Sequence, residues 1–242
     1  MPPSQENNVL TVLEEGQLTI RGEFVWGSNY TFLTQVEHKG YTTDAVYKPI
    51  RGERPLWDFP TASLAWREVA AYRVSEALGW ELVPPTVYRQ DGPAGPGSLQ
   101  LFIEHDPEYH YFTLTDADKE RLQPVVVFDV LINNADRKGS HLLFDPDDHL
   151  WLIDHGVSFH QEYKLRTIIW DFAGERIPPY VLSDIEAFHQ ALSMNSSLIS
   201  VMHECLSPIE ITAMGNRAEH LIATSQYPSP DPNRRVYPWP AI

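Results

Sequence analysis

Two aspartates in the middle of the chain stand where their carboxylates could act together. Asp136 lies in the run 133–141 and Asp154 lies in the run 153–156. Between them, two short apolar runs joined by a turn-forming Asp-Pro-Asp-Asp-His segment predict a hairpin, which would return both carboxylates to the same end of it. Phosphoryl transfer needs a carboxylate near the attacking hydroxyl, a divalent metal and a lysine on the phosphates. Because Mg²⁺ can be held by one or two carboxylates plus phosphates, the two aspartates could share a nucleotide and its magnesium ion.

The same residues allow other interpretations. Aspartates beside turns often cap backbone N–H groups, and either aspartate could do only that. Alternatively, His141, His149 and His155 could join the aspartates in a mononuclear metal site of a hydrolase, because histidine and carboxylate ligands occur in catalytic zinc centres. The sequence has no His-Glu-x-x-His signature that would favour such a site.

The first part of the chain is predicted to be rich in strands. Period-two alternation and intervening turn residues indicate an antiparallel meander. The predicted strands are 18–20, 24–26, 30–33, 45–48, 86–89 and 99–104. Apolar residues at helical spacing predict one helix over 64–78, ended by Gly79.

The second part is predicted to be mainly helical. Thr115 is expected to open one helix that runs to about Leu131, and residues 182–224 are expected to be predominantly helical. The tail 227–242 contains five prolines and predicts an extended strap or a disordered end. With a boundary at 105–115, the chain is predicted to form two lobes, 9–104 and 105–242, around a cleft that holds the site.

The amino-acid composition limits the classes of molecule that the protein is expected to bind. The 242-residue chain has 18 Lys and Arg against 33 Asp and Glu, a net charge of −15, which disfavours nucleic acid or an anionic membrane as partner. Its scattered basic residues, Arg137 among them, are expected to be ordinary solvated surface. A single cysteine, Cys205, excludes an intramolecular disulfide, and the polar start and the lack of a long apolar run predict a cytoplasmic protein with no stable membrane anchor.

The chain resembles a known family at its central motifs. Asp136-Arg137, followed five residues later by His141, and Asp154-His155-Gly156 in place of the usual Asp-Phe-Gly of kinases resemble the catalytic core of the phosphatidylinositol 3-/4-kinase superfamily. The similarity is to type II phosphatidylinositol 4-kinases and related bacterial proteins, and more distantly to HipA-like kinases. It implies an α+β, bilobal protein-kinase-like fold, with a small antiparallel β-rich N-lobe containing one helix and a mainly helical C-lobe.

The resemblance also implies roles for five residues. Asp136 would be the catalytic base or would orient the acceptor hydroxyl, and Asp154 would be the principal metal ligand, with His141 as a second one. Lys48, at the end of a predicted strand, is similar to the kinase lysine that contacts the α and β phosphates. Glu68 is similar to the helix glutamate that pairs with that lysine, so the two should lie within salt-bridge reach.

The nucleotide would be held by two further segments if the resemblance holds. One is a turn placed where kinases have their phosphate-covering loop, and the other is the hinge whose backbone meets adenine. These residues are Gly27, Ser28 and Asn29 in the turn and Phe102, Ile103 and Glu104 in the hinge. From the residues alone, the first segment is more typical of a plain hairpin turn, and Lys48 and Glu68 could equally be exposed surface residues.

The resemblance therefore implies an ATP-dependent phosphotransferase that moves the γ-phosphoryl group to a hydroxyl of an unknown acceptor, which could be a small molecule, a protein or a lipid. The cofactors would be ATP with Mg²⁺ or Mn²⁺; the histidine at position 141, where most kinases have asparagine, suits manganese better than magnesium. The alternatives are a pseudokinase that serves as a nucleotide-binding or scaffolding module, and the metallohydrolase described above.

Overall fold

The computed structural model describes residues 3–24, 30–193 and 196–242, which form a bilobal α+β fold. The helices are α1 (Pro3–Glu15), α2 (Leu64–Leu78), α3 (Asp116–Glu120), α4 (Gln123–Ile132), α5 (Pro179–Ser193), α6 (Ser197–Cys205) and α7 (Pro208–Thr224). The strands are β1 (Gln17–Glu23), β2 (Phe32–His38), β3 (Tyr41–Pro49), β4 (Thr86–Arg89), β5 (Gly97–Leu101), β6 (Leu142–Phe144) and β7 (Leu150–Leu152).

Five strands form one antiparallel sheet in the order β1-β2-β3-β5-β4. Alternate side chains of strand β3 face the core on one side of the sheet and the cleft on the other. Ala45 and Tyr47 are fully buried in the core that the sheet shares with α1. Val46 and Lys48 alternate with them, so they face the other side of the sheet, where both line a cavity.

The strand predicted over 99–104 is shorter at its far end than expected. β5 ends at Leu101, whose backbone N–H donates to the carbonyl of Pro85. Its neighbour β4 begins only at Thr86, because Pro84 and Pro85 have no N–H to extend the ladder. Part of the strand predicted over 24–26 lies outside the described residues, and Phe24 follows the end of β1.

Helix α1 was not predicted, so the statement that the first lobe contains one helix is wrong. Val12 and Leu13 are buried against the sheet, and the guanidinium of Arg89 donates to the carbonyls of Leu13 and Gly16 at 2.7 and 2.9 Å. A Cβ at Gly16 would lie 2.5 Å from the carbonyl oxygen of Val12, so only glycine fits where the chain turns from α1 into β1. The sheet and α1 therefore share one core.

Helix α2 has the bounds that the sequence predicts. It ends at Gly79, whose φ of 68° is the left-handed conformation that glycine adopts without strain. The helix packs against β4 and β5 on one side and against α5 and α6 on the other, so it lies between the two lobes. Its buried positions include the charged residues Arg67 and Glu68, which a helix at a protein surface would leave in water.

The single helix predicted from Thr115 to Leu131 is in fact two helices. Thr115 caps α3, because its hydroxyl accepts the N–H of Asp118. Helix α3 ends at Glu120, with Arg121 as its C-cap, and α4 has Pro124 in its first turn. Proline has no N–H to donate and its ring collides with the preceding turn, so it is tolerated at a helix start and interrupts a continuous helix.

The predicted hairpin between the two aspartates is formed by β6 and β7. Leu142 pairs with Leu152, and Leu143 pairs with Trp151. At the turn, Asp145 Oδ1 accepts the backbone N–H groups of residues 147 and 149 at 3.0 and 2.9 Å. This turn brings Asp154, two residues after β7, back to the end of the hairpin where the chain entered.

The end of the chain is helical and then extended, as predicted. Helices α5, α6 and α7 complete the core around α4. The tail follows as a strap: the N–H of Gly139 donates to the carbonyl of Ala241 at 2.8 Å, and the N–H of Thr167 to that of Val236 at 3.0 Å. Among the helices in the described ranges, none has the length and hydropathy needed to cross a membrane.

Candidate active site

A cavity of about 330 Å³ lies between the sheet and the β6–β7 hairpin. Its walls come from β3, α2, β5 with the residues after it, and the segments that flank the hairpin. This volume is within the range of sites for small organic ligands. Among the charged or titratable side chains that line it, Lys48, Glu68, His141 and Asp154 form one connected group.

Lys48 is the centre of this group. Its Nζ lies 2.5 Å from Glu68 Oε1 and 3.0 Å from Asp154 Oδ1. Burial alone would lower the pKa of Lys48, but the nearby carboxylates of Asp154 and Glu68 outweigh it and raise the pKa above its usual range. Lys48 is therefore a permanent cation, and the predicted contact with Glu68 is present.

Glu68 joins three elements through its two carboxylate oxygens. Oε1 accepts from Lys48 on β3, and Oε2 accepts the backbone N–H of His155 at 2.9 Å. Its side chain is only 4% exposed, so both contacts are shielded from water. Glu68 thereby fixes β3, α2 and the segment after β7 relative to one another.

Asp154 presents its carboxylate at the cavity while its backbone is in the left-handed region, with φ of 62°. Few residues with a side chain adopt this conformation, and aspartate is among those that tolerate it best. The side chain is 51% exposed. The Lys48 ammonium group holds the pKa of Asp154 well below its usual range, so the carboxylate is ionised.

His141 lies beside Asp154, with Nε2 3.4 Å from Asp154 Oδ2. Burial lowers the pKa of His141 to about 3, so the ring is neutral. Its Nδ1 accepts the backbone N–H of Lys138 at 3.4 Å, and this hydrogen-bond pattern assigns the proton to Nε2. Nε2 thus faces Asp154 as a donor, whereas a metal ligand must offer a lone pair.

Of the side chains at the cavity, Asp154 is suited to bind a divalent cation. Asp154 supplies an ionised, half-exposed carboxylate, which is the ligand type that Mg²⁺ prefers when phosphates and water complete its shell. His141 would have to move its proton to Nδ1 and give up the Lys138 hydrogen bond before it could ligate the same ion. In the ranges 3–24, 30–193 and 196–242, no three His, Cys, Asp or Glu side chains are arranged as a ready metal site.

Asp136 lies beside the cavity and does not line it. Its backbone N–H donates to Asn134 Oδ1 at 2.9 Å, and its carboxylate lies 3.4 Å from Lys138 Nζ. Burial raises the pKa of Asp136, with a smaller upward contribution from Asp154 that Lys138 opposes. Asp154 is thus close enough to influence the Asp136 carboxyl group, although only Asp154 lines the cavity.

Arg137 is completely buried, so the interpretation of this residue as solvated surface is wrong. Its Nε lies 3.0 Å from Asp129 Oδ2, its Nη1 donates to the carbonyl of Ile153 at 3.0 Å, and its Nη2 lies 2.9 Å from His155 Nε2. One guanidinium thus ties the loop that contains Asp136 to the segment that contains Asp154. Asp129, the one acidic residue in the apolar α4 sequence, was the available signal for a buried partner.

Arg67 is a second buried residue that the sequence analysis missed. Its guanidinium lies 2.5 Å from Glu210 Oε1 in the first turn of α7 and donates to the carbonyl of Ser158 at 2.5 Å. It also lies over the ring of Phe59, 4.9 Å from the centroid. Because Arg67 precedes Glu68 in α2, this ion pair fastens the helix that carries Glu68 to the helical lobe.

The predicted nucleotide segments are placed as follows. Phe102 and Ile103 line the cavity, whereas Glu104 is exposed and does not line it. The N–H of Phe102 donates to the carbonyl of Asp44 at 3.0 Å. The predicted phosphate turn, residues 27–29, lies outside the described residues.

Comparison with known proteins agrees with this arrangement. The family model described as phosphatidylinositol 3- and 4-kinase matches residues 61–208, which include α2, the hairpin and both aspartates. The chain belongs to this family of kinases.

Particular relatives differ in how much of the chain they share. Protein Rv2133c of Mycobacterium tuberculosis is 39% identical, and the alignment covers 96% of this chain and 94% of that protein. Phosphatidylinositol 4-kinase gamma 4 is 28% identical in Oryza sativa subsp. japonica and 29% in Arabidopsis thaliana, in each case over 48% of this chain. These alignments span about a quarter of the plant proteins, 24% and 25%.

A solved structure supports the fold. The Helicobacter pylori proinflammatory kinase CtkA superposes with a TM-score of 0.54 and 10% identity, covering 89% of this chain and 94% of that one. At this identity the likeness concerns the fold alone, and it confirms the bilobal kinase-like architecture.

Proposed function

We propose that the protein transfers the γ-phosphoryl group of ATP to a hydroxyl group of an acceptor. The observation that carries this proposal is Lys48, whose ammonium group contacts both Glu68 and Asp154 at the wall of one cavity. A lysine held between a helix glutamate and a metal-binding aspartate is the arrangement by which kinases place the phosphates of ATP. Family membership supports the same chemistry.

Each residue then has a distinct role in the proposed reaction. Lys48 binds the nucleotide phosphates, and Glu68 positions Lys48 by holding its ammonium group. Asp154 holds Mg²⁺ or Mn²⁺, with His141 beside it, and the bound ion would neutralise charge on the phosphate oxygens. Asp136 orients the acceptor hydroxyl and accepts its proton, which the raised pKa of its carboxyl group favours.

The nucleotide base would lie against the residues that follow β5. Phe102 and Ile103 line the cavity on that side and would provide backbone groups for adenine, with Glu104 at the outer edge. Gly27, Ser28 and Asn29 would cover the phosphates with their backbone N–H groups. Phe24 and Tyr30, on either side of that turn, line the same cavity.

Substitution of the two central charges tests the proposal. We expect Lys48→Ala to abolish the thermal stabilisation that ATP with Mg²⁺ or Mn²⁺ gives the wild-type protein, since a ligand that binds only the native state raises Tm. Asp154→Asn should abolish ADP release in the presence of an acceptor pool. Lys39→Ala, at an exposed turn, is the matched control and should leave both signals unchanged. Normal stabilisation and turnover in both site variants would reject the assignment.

The orientation of His141 favours one alternative, a pseudokinase that binds nucleotide without transferring phosphate. Its Nε2 proton faces Asp154, where an asparagine in other kinases offers an oxygen. Nucleotide stabilisation without ADP release in the wild-type protein would select this alternative. Recovery of ADP release in His141→Asn would show that the histidine is the cause.

A further inference from the structure

A second cavity lies in the helical lobe, away from the nucleotide cavity. It has a volume of about 480 Å³ and is bordered by α7, the segment 161–163 and the tail segment 226–231, with Val130 of α4 at its base. The two cavities have no lining residue in common. Nothing in the proposed phosphotransfer reaction uses this second cavity.

Arg217 of α7 lines the cavity and is the feature that distinguishes it. Its Nε donates to the carbonyl of Leu131 at 2.9 Å, near the end of α4. Its Nη2 is buried and has no hydrogen-bond partner among the described atoms. Burial lowers the pKa of Arg217 to about 10, so it remains charged at neutral pH.

The lack of an acidic partner sets Arg217 apart from the other deeply placed arginines. Arg67 is paired with Glu210, and Arg137 with Asp129. In the part of the chain that the structure describes, no carboxylate lies within ion-pair distance of Arg217, although the protein carries 33 Asp and Glu. A partly buried cation without a counter-charge is costly, and an anion bound at the part of the guanidinium that remains accessible, the Nη1 group, would supply the missing charge.

The rest of the wall suits an anion with an apolar body. Val130, Ala213 and Leu221 provide an apolar surface, and the side-chain amides of Gln161 and Gln226 are at the rim. Sites for small organic ligands combine such an apolar wall with a few polar groups that fix the orientation.

One carboxylate, that of Asp231, also borders the cavity and would repel an anion if it were unpaired. It is already engaged, because it lies 3.3 Å from the Nε of Arg234 and accepts the backbone N–H of Asn233 at 2.9 Å. These contacts, together with its exposure to water, weaken the repulsion that Asp231 would exert on an anion in the cavity.

We propose that this cavity binds a small organic anion, with a carboxylate or phosphate group against the Arg217 guanidinium and an apolar body against Val130 and Leu221. Because Nε already donates to Leu131 and Nη2 is buried, the anion would accept from Nη1, and both carboxylate and phosphate oxygens can do so. The site is independent of the nucleotide cavity, and its occupancy does not require phosphotransferase activity.

The experiment uses the full chain and three probes: phenyl phosphate, benzoate and inorganic phosphate, titrated by isothermal calorimetry. We expect phenyl phosphate or benzoate to bind, the preferred one identifying the anion class, and inorganic phosphate to bind at least tenfold more weakly because it lacks an apolar body. Arg217→Gln should weaken binding of the preferred probe at least tenfold. Lys39→Gln removes the same charge from an exposed turn and should not weaken it.

Two further variants separate this site from the cleft and from folding defects. Lys48→Ala should bind the probe as the wild-type protein does, whereas binding that disappears in Lys48→Ala would place the probe in the nucleotide cavity and overturn the proposal. Asn216→Trp puts a bulky ring at an exposed position of the cavity wall and should block binding if Arg217→Gln does not fold. Absence of probe binding to the wild-type protein, or equal binding to Arg217→Gln, would also overturn it.

Discussion

Replacing Glu210 by glutamine removes one charge from the buried ion pair that connects α2 with α7. The Arg67 side chain is 2% exposed and that of Glu210 is 9% exposed. Both oxygens of Glu210 accept hydrogen bonds: Oε1 from Arg67, and Oε2 from the backbone N–H and the hydroxyl of Ser207. A glutamine amide has one oxygen only, so its NH₂ group must face either the Arg67 guanidinium or the Ser207 N–H.

The size of the effect follows from this burial. Removing one partner of a buried pair costs about 3–5 kcal/mol, because the remaining charge is left without compensation. In chains of this length, 1 kcal/mol corresponds to a change in Tm of about 2–4 °C. Even the lower figure therefore predicts that Glu210→Gln lowers Tm by roughly 6–12 °C.

Thermal unfolding followed by circular dichroism measures this change. Glu76→Gln is the matched control, because it removes the same charge from an exposed ion pair, that of Glu76 with Arg73 on α2. This substitution should lower the free energy of unfolding by less than about 1 kcal/mol. The double variant Arg67→Met with Glu210→Gln should lose less stability than the sum of the single variants, since the two residues share one interaction. Equal Tm changes in Glu210→Gln and Glu76→Gln would refute the argument.

Three further predictions follow from burial and close contact. Burial opposes ionisation of Glu210, but its contacts with Ser207 and Arg67 lower its pKa below 4.5. The stabilising effect of the carboxylate is therefore present above pH 4.5 and is lost as the pH falls. The Tm difference between the wild-type protein and Glu210→Gln should shrink from pH 7 to pH 3, and a constant difference would contradict this. Arg137→Met should lower the free energy of unfolding in urea by at least about 3 kcal/mol, because it leaves the buried Asp129 carboxylate uncompensated. Gly16→Ala should cost about 1–3 kcal/mol in the same assay, whereas Gly22→Ala, where a Cβ would meet nothing within 4 Å, should change stability little; similar effects of the two would count against the proposed steric conflict.

The parts of the fold that the sequence predicts are those with strong local signals. Helix α2 has a clear apolar period and a glycine at its end, and the β6–β7 hairpin has two apolar runs around an aspartate turn. Helix α1 gives a weak signal, because few of its residues are apolar and only a short stretch, including Val12 and Leu13, packs on the sheet. The break between α3 and α4 depends on Pro124, whose effect outweighs the continuous apolar spacing around it.

For the site, the sequence predicts that Lys48 and Glu68 meet and that Asp154 lies near them, but it does not predict what holds these residues in place. Lys48, Glu68 and Asp154 meet because a strand end, a helix and a hairpin are each recognisable in the sequence. Arg67 is different, since its partner Glu210 is 143 residues away and no local pattern marks the pair. The position of a long-range charge pair depends on how the lobes pack, which alternation and helical spacing do not describe.

The adjacency of Arg67 and Glu68 in α2 has a consequence for the design of small molecules that bind the cavity. Neighbouring helix residues point in directions about 100° apart. Arg67 therefore contacts the helical lobe while Glu68 contacts strand β3. A compound that needs α2 to swing outward must break both contacts at once and leave Arg67 without its counter-charge. Compounds that fit the cavity with α2 in place should therefore bind this protein more tightly than compounds that require a displaced helix.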